Sequence, residues 1–170
     1  MKKRIAHLLL PELVPAPLWG RSAYRMLGGR VAWTKRIRPD ALAKSGNRCD
    51  ICGSAEGRLI CHDKWQYDDK VATATLVGFE IHCTNCDAVT HIGLAANLGN
   101  REEVVMSAVA HLCKVNRCSE DEAVEILFAA MDLWNKRSQK KWKIKVAPPL
   151  VKTYPELAEL PNFMPTPIVK

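Results

Sequence analysis

Helical and alternating hydrophobic periods succeed one another along the chain, and proline fills the stretches where neither holds. Residues 32–44 carry Trp33, Ile37, Ala41 and Leu42 at helical spacing, with Lys35, Arg36 and Arg38 on other sides, and predict a helix that Pro39 interrupts. Ser45-Gly46-Asn47 ends it. Residues 58–62 read as a strand leaving the turn Gly53-Ser54-Ala55-Glu56-Gly57, and residues 75–82 as a second strand after the polar turn Asp68-Asp69-Lys70. Past Cys86 the period is helical again. There Asp87 and His91, four residues apart, share one helix face, where they could hold a metal or a phosphate-bound cation together.

Beyond Gly99 two capping-box patterns, Asn100 with Glu103 and Ser119 with Glu122, predict helices starting near Arg101 and Glu120. Val104, Val105, Ala108, Leu112 and Val115 give the first an apolar side; Ala123, Ile126, Leu127, Ala130, Met131 and Trp134 do so for the second. The two form a hairpin across Asn116-Arg117-Cys118, and the alternation of Trp142, Ile144 and Val146 then predicts a short strand. The ends differ. Pro11, Pro15 and Pro17 mark an extended N-terminal arm, and Pro148, Pro149, Pro155, Pro161, Pro165 and Pro167 an extended tail with at most one helical turn near Glu156 to Leu160. The chain therefore divides into an arm at 1–30, a central unit at 31–99, a helical hairpin plus strand at 100–147, and a proline-rich tail at 148–170.

Composition limits what these units can be. With 170 residues, 48% of them apolar, the chain suits one ordinary domain or a small metal domain with a helical extension. Lys and Arg outnumber Asp and Glu by 25 to 18, and the net charge of +7 favours polyanions such as nucleic acid; an acidic protein partner is the alternative. In the arm, Arg21, Arg25 and Arg30 interleave with Trp19, Tyr24 and Trp33, a mixture able to stack on bases or to pack the arm on its own domain. No apolar stretch is long enough to span a bilayer, and the run Leu8-Leu9-Leu10 is cut by Pro11 and Glu12 before it reaches the length of a signal peptide core. Seven cysteines without such a signal point to reduced thiols in a cytoplasmic protein.

Four of those cysteines form two pairs, Cys49-Asp50-Ile51-Cys52 and Cys83-Thr84-Asn85-Cys86. Each pair sets two thiolates on one tight knuckle, and four thiolates so arranged suit a tetrahedral Zn2+. A knuckle, a hairpin, and a second knuckle opening into a helix make a treble clef, in which structural zinc replaces a large core. The fold class expected is thus α+β, a treble-clef zinc domain followed by a helical hairpin between extended ends.

The sequence here resembles the HNH, or ββα-metal, nucleases, and in particular a bacterial and phage group labelled HNH-endonuclease-like. The likeness rests on Arg48-Cys49-Asp50-Ile51-Cys52-Gly53, Cys61-His62-Asp63-Lys64-Trp65-Gln66-Tyr67-Asp68-Asp69, Leu76-Val77-Gly78, Cys83 with Cys86, and His91-Ile92-Gly93-Leu94-Ala95, and continues to Trp142. The resemblance implies a metal-dependent endonuclease acting on DNA, with His62 as general base and a divalent ion such as Mg2+ or Mn2+ held by Asp87 and His91. Departures accompany it. Asp87 stands where such nucleases place histidine, Cys61 where an acidic residue or histidine precedes the base, and Gly78 and Glu80 occupy the strand that should supply an orienting asparagine. The alternative is a nuclease scaffold kept as a binding module for nucleic acid or for a larger assembly, with His62 serving only the zinc's surroundings.

Lys136, Arg137, Lys140, Lys141, Lys143 and Lys145 complete the expected nucleic-acid surface. Their plainer role is to complement the dipole at a helix C-terminus. Cys61, Cys113 and Cys118 read as small apolar residues, Trp65 and Tyr67 as packing residues, and His82 as exposed or beside the metal. The proline-rich ends offer a docking segment for a protein partner.

Overall fold

In the computed structural model, which describes residues 9–27, 31–95 and 101–164, the chain is an α+β protein built on a three-stranded sheet in the order β1-β2-β3. β1 (Leu59–Asp68) and β2 (Thr73–Cys83) form a long antiparallel hairpin, and β3 (Lys143–Val146) adds to β2 in parallel, Thr73 opposite Lys143. Both hairpin strands outrun the segments expected from sequence, because Trp65 and Tyr67 continue the strand period through a region that reads as polar. Lys64 pairs with Gly78 and Trp65 with Leu76, which leaves Val77 as the extra residue of a β-bulge. Leu76 thereby shares an apolar cluster with Phe79 despite their odd separation.

Helices surround the sheet: α1 (Ala23–Met26), α2 (Arg38–Lys44), α3 (Thr84–Thr90), α4 (Ile92–Ala95), α5 (Arg101–Asn116), α6 (Glu120–Ser138) and α7 (Pro148–Thr153). The helix expected over 32–44 forms, but its first half, Trp33–Ile37, is a π-helical turn. Pro39 lies at the start of α2, where a missing amide costs little. Ser119 and Glu122 make the expected reciprocal cap of α6. Asn100, the other expected cap, lies outside the described residues. Arg117 turns the helical hairpin with φ 56°.

Two apolar clusters hold these parts together. One joins Leu9, Cys49, Cys83, Cys86, Val89 and Ile92 to Ala108, Leu112 and Ala123, so α5 and α6 pack on the cysteine end of the hairpin. The other joins Ala23, Trp33, Ile37 and Leu76 to Tyr154, Leu157 and Leu160. The second cluster corrects the expected extended tail. Prolines open α7 and the 3-10 helix Pro155–Asn162, with fixed φ already suited to a helical first turn, and the segment supplies core.

The arm also departs from expectation. It carries a 3-10 turn at Ala16–Leu18 and the short helix α1, whose Ser22 side chain accepts from Arg25 N at 3.1 Å. Asn116 fastens it by exchanging two hydrogen bonds with the Leu9 backbone, both 2.8 Å, and the Glu12 amide donates to Thr90 O at 2.9 Å. Trp19 and Trp134 both donate from Nε1 to Val14 O. Fixed in this way, the arm carries Glu12 to the end of α3.

Candidate metal centre

The two cysteine knuckles face each other across the start of α3. Gly53 adopts φ 75°, which only glycine reaches without strain, and donates to Cys49 O at 2.9 Å to close the first knuckle. Asp50 then behaves as a strand partner: its amide donates to Ile81 O and its carboxylate accepts from Ile81 N, each at 2.7 Å. The second knuckle is the junction of β2 and α3. The four Sγ atoms of Cys49, Cys52, Cys83 and Cys86 lie within 4.8 Å of one another, positioned to hold a metal ion.

Their spacing matches the thiolate chemistry. Cys52 and Cys83 Sγ are 3.7 Å apart, and the edge of a tetrahedron with metal–sulfur bonds of about 2.3 Å is about 3.8 Å. Cys49, Cys83 and Cys86 are buried and Cys52 is exposed. A hydrogen bond from Cys86 draws the Cys49 thiol well below the ordinary thiol value, and the same contact drives that of Cys86 up. His111 of α5 places Nε2 3.2 Å from Cys86 Sγ. Sequence spacing carries no sign of this histidine, since only the packing of α5 against α3 brings it there. Cys61 stands apart, its thiol pushed up to about 12, chiefly by burial, as suits a small apolar strand residue.

Beside the cysteines is a cluster of histidines. His62 of β1 is only 8% exposed. Its ring centroid lies 4.8 Å from that of His91, the C-cap of α3, and 4.6 Å from that of His82. His91 Nε2 is 3.8 Å from Asp87 Oδ1, the helix-face pairing that their spacing predicts. His62, Asp87 and His91 are thus brought together. Among the described residues, however, the four cysteines alone form a ready metal-ligand set.

Burial first, and then His82 and His91, hold His62 down to about 3, so it is neutral at pH 7. Burial likewise lowers His91, with Asp87 opposing.

Three further residues belong to this cluster. His82 is not exposed but 2% accessible, and its Nε2 faces Glu80 Oε2 at 3.6 Å. Glu80 also pairs with Lys64 and is held down to about 2, foremost by His82. Glu12 arrives from the arm. Burial, followed by the charge of Glu80, raises its carboxyl to about 7. The alternation of Glu80, Ile81 and His82 was the available signal for two of them; nothing in the sequence marks Glu12. Asp63, on the other side of β1, accepts from Ala23 N at 2.8 Å and anchors α1 instead.

The basic stretch separates into two groups. Arg137 makes a forked contact with Asp69 (2.7 to 3.2 Å) and lies over the Tyr67 ring at 4.4 Å, while Lys140 donates to Asp69 O at 2.6 Å. These two are internal struts. Lys136, Lys141, Lys143 and Lys145 are exposed, the last two on the open face of β3. Compared with known protein families, with curated proteins and with solved structures, the chain finds no match in any of the three. Among the described residues, no helix is long and apolar enough to cross a membrane.

Proposed function

We propose that the protein is a zinc-stabilised treble-clef protein of the HNH-like class that binds nucleic acid and hydrolyses DNA phosphodiester bonds with the help of a divalent cation. The observation that carries this reading is the contact of His62 with His91, itself paired to Asp87, on a helix that starts at the cysteine clamp. Zn2+ suits the clamp because four cysteine sulfurs gathered within 4.8 Å of one another match its preferred ligands. Asp87 and His91 offer one oxygen and one nitrogen to a harder ion such as Mg2+ or Mn2+, which when bound would neutralise charge on a scissile phosphate.

In this reading His62 takes the proton from an attacking water, being neutral at pH 7 and able to accept at once. The clamp would tie the first knuckle to the junction of β2 and α3, and the pairing of β1 with β2 keeps the His62 ring beside His91. Lys136, Lys141, Lys143 and Lys145 supply exposed cations for a phosphate backbone. The burial of His62 favours a second reading, a binding module without cleavage, since an imidazole held near 3 is a weak base until phosphate charge approaches it.

Plasmid DNA separates the two readings. With Mg2+, Mn2+ or Ni2+ the protein should nick supercoiled plasmid, and His62→Ala should abolish nicking while zinc content stays the same. Salt-sensitive binding without metal-dependent nicking would reject the enzyme and leave the binding module.

A further inference from the structure

Trp19 and Tyr24 of the arm stand in solvent, 57% and 51% exposed, although each packs against a second ring. Trp134 of α6 is stacked on Trp19, 6.3 Å between centroids and 18° from parallel, and the buried Trp33 meets Tyr24 edge on at 5.5 Å. Trp19 Nε1 is already engaged by Val14 O at 2.8 Å, so the exposed part of its ring offers only apolar aromatic surface. The arm thus divides. Trp33 packs it on the domain, while Trp19 and Tyr24 present rings that the fold itself does not cover.

Charge along this stretch has one sign. Residues 13–39 include Arg21, Arg25, Arg30, Lys35, Arg36 and Arg38 and contain no Asp or Glu. Two carboxylates that reach the stretch from outside are occupied, Asp63 buried against Ala23 N and Glu156 paired with Arg36. Arg25 is exposed, and Arg21 donates from Nη2 to Met164 Sδ at 3.0 Å, a weak acceptor that a phosphate oxygen would displace.

We propose that this part of the arm binds an unpaired stretch of nucleic acid, with Trp19 and Tyr24 stacking on its bases and Arg21 and Arg25 neutralising its phosphates, a role that rests on the nucleic-acid binding proposed above but not on cleavage. Within a duplex the bases cover one another's faces, and only a single strand leaves them free to stack on protein rings. Rings already held by Trp134 and Trp33 lose little freedom when a base arrives. Trp19 and Tyr24 are five positions apart, at most about 17 Å of extended chain. That span suits the shorter single-strand sites, which take about four nucleotides.

Full-length zinc-loaded protein is titrated into fluorescein-labelled oligothymidylate of about twelve nucleotides, its oligouridylate counterpart, and a DNA duplex of the same length, with binding read by anisotropy. The expected result is tighter binding of one or both single strands than of the duplex, the two strands distinguishing DNA from RNA as the source. Trp19→Ala and Tyr24→Ala should each weaken single-strand binding by about fivefold or more and leave duplex binding unchanged, with zinc content and circular dichroism as in the parent. Trp19→Phe should keep most of the affinity. Lys143→Ala with Lys145→Ala should weaken single strand and duplex alike. Should an alanine variant fail to fold, the parent protein decides: 5-iodouracil placed in the strand should cross-link on irradiation to Trp19 or Tyr24, as mapped by mass spectrometry.

The proposal is overturned if the duplex binds as tightly as both single strands, if both alanine variants bind single strands as the parent does, or if the cross-link falls only on other residues. In each of these cases, binding that still depends on Lys143 and Lys145 leaves the nucleic-acid reading in place. Binding to none of the three probes at low salt would remove both.

Discussion

His62 and His82 lie ring on ring, 4.6 Å between centroids and 13° from parallel. The hairpin register causes this contact. Glu80 sits directly opposite His62 and Ile60 opposite His82, which makes the two histidines diagonal neighbours within reach of each other. Two imidazolium ions could not share that contact in a buried place.

Acid should therefore destabilise the fold through His62. Its folded pKa, about 3, is below the ordinary value of 6.5, so its contribution is complete above pH 6.5 and is lost as pH falls toward 3. Denaturant unfolding at pH 7 and pH 5 should give a difference on the order of 2 kcal/mol attributable to this residue, removed in His62→Gln. An unchanged pH slope in that variant would contradict the assignment.

Glu12 predicts the opposite slope. Its folded pKa, about 7, lies above the ordinary 4.5, so its stabilising term is present below pH 4.5 and lost as pH rises through 7. Without added divalent cation, Glu12→Gln should gain stability over the parent between pH 5 and 8, by about 3 kcal/mol at most. Parallel stability profiles for the two proteins would mean that the carboxyl is solvated.

The hairpin, the two knuckles and the α5 and α6 pair were legible because each is a local pattern: paired cysteines, alternation, a capping box. The histidine cluster was legible in part. Asp87 and His91 follow from helical spacing, but His82 and Glu80 need the strand register, and Glu12 needs the course of the arm along α3, which Asn116 sets from a distant helix. The tail misled for a physical reason. Proline forbids a helix interior yet favours a helix start, and composition does not distinguish the two cases.

The cysteine clamp should behave as a folding element. Cys49→Ser or Cys86→Ser should lower metal content below one ion per chain and remove the cooperative thermal transition, since a structural zinc supplies about 10 kcal/mol or more of folding energy. Cys61→Ser, away from the four sulfurs, should keep its metal. His111→Ala should hold the ion more weakly, by roughly tenfold in chelator competition, because its Nε2 reaches Cys86 Sγ.

The basic residues should divide by experiment as they do in the structure. Arg137→Ala breaks the forked contact with Asp69 and the packing on Tyr67, and should cost about 1–2 kcal/mol of stability. Lys143→Ala with Lys145→Ala should leave the melting temperature unchanged and reduce the salt slope of DNA binding by about 1 for each phosphate no longer neutralised. Equal binding losses from Arg137→Ala and the two lysines would show that the forked contact opens on DNA.

The tail gives the sharpest test of the fold. Leu157 and Leu160 are fully buried beside Trp33 and Ile37, and Tyr154 donates from its hydroxyl to Asp40 Oδ2 at 2.8 Å. Leu157→Ala should cost about 2–4 kcal/mol, the range for a large-to-small change in a packed core. Tyr154→Phe removes one hydrogen bond and keeps the ring, so it should cost only about 1 kcal/mol. A free tail would show neither effect, and a chain ending at Ala147 would unfold like the full protein. If the tail is core, that shortened chain exposes Trp33 and Leu76, and its tryptophan fluorescence should shift to the red as Trp33 meets water.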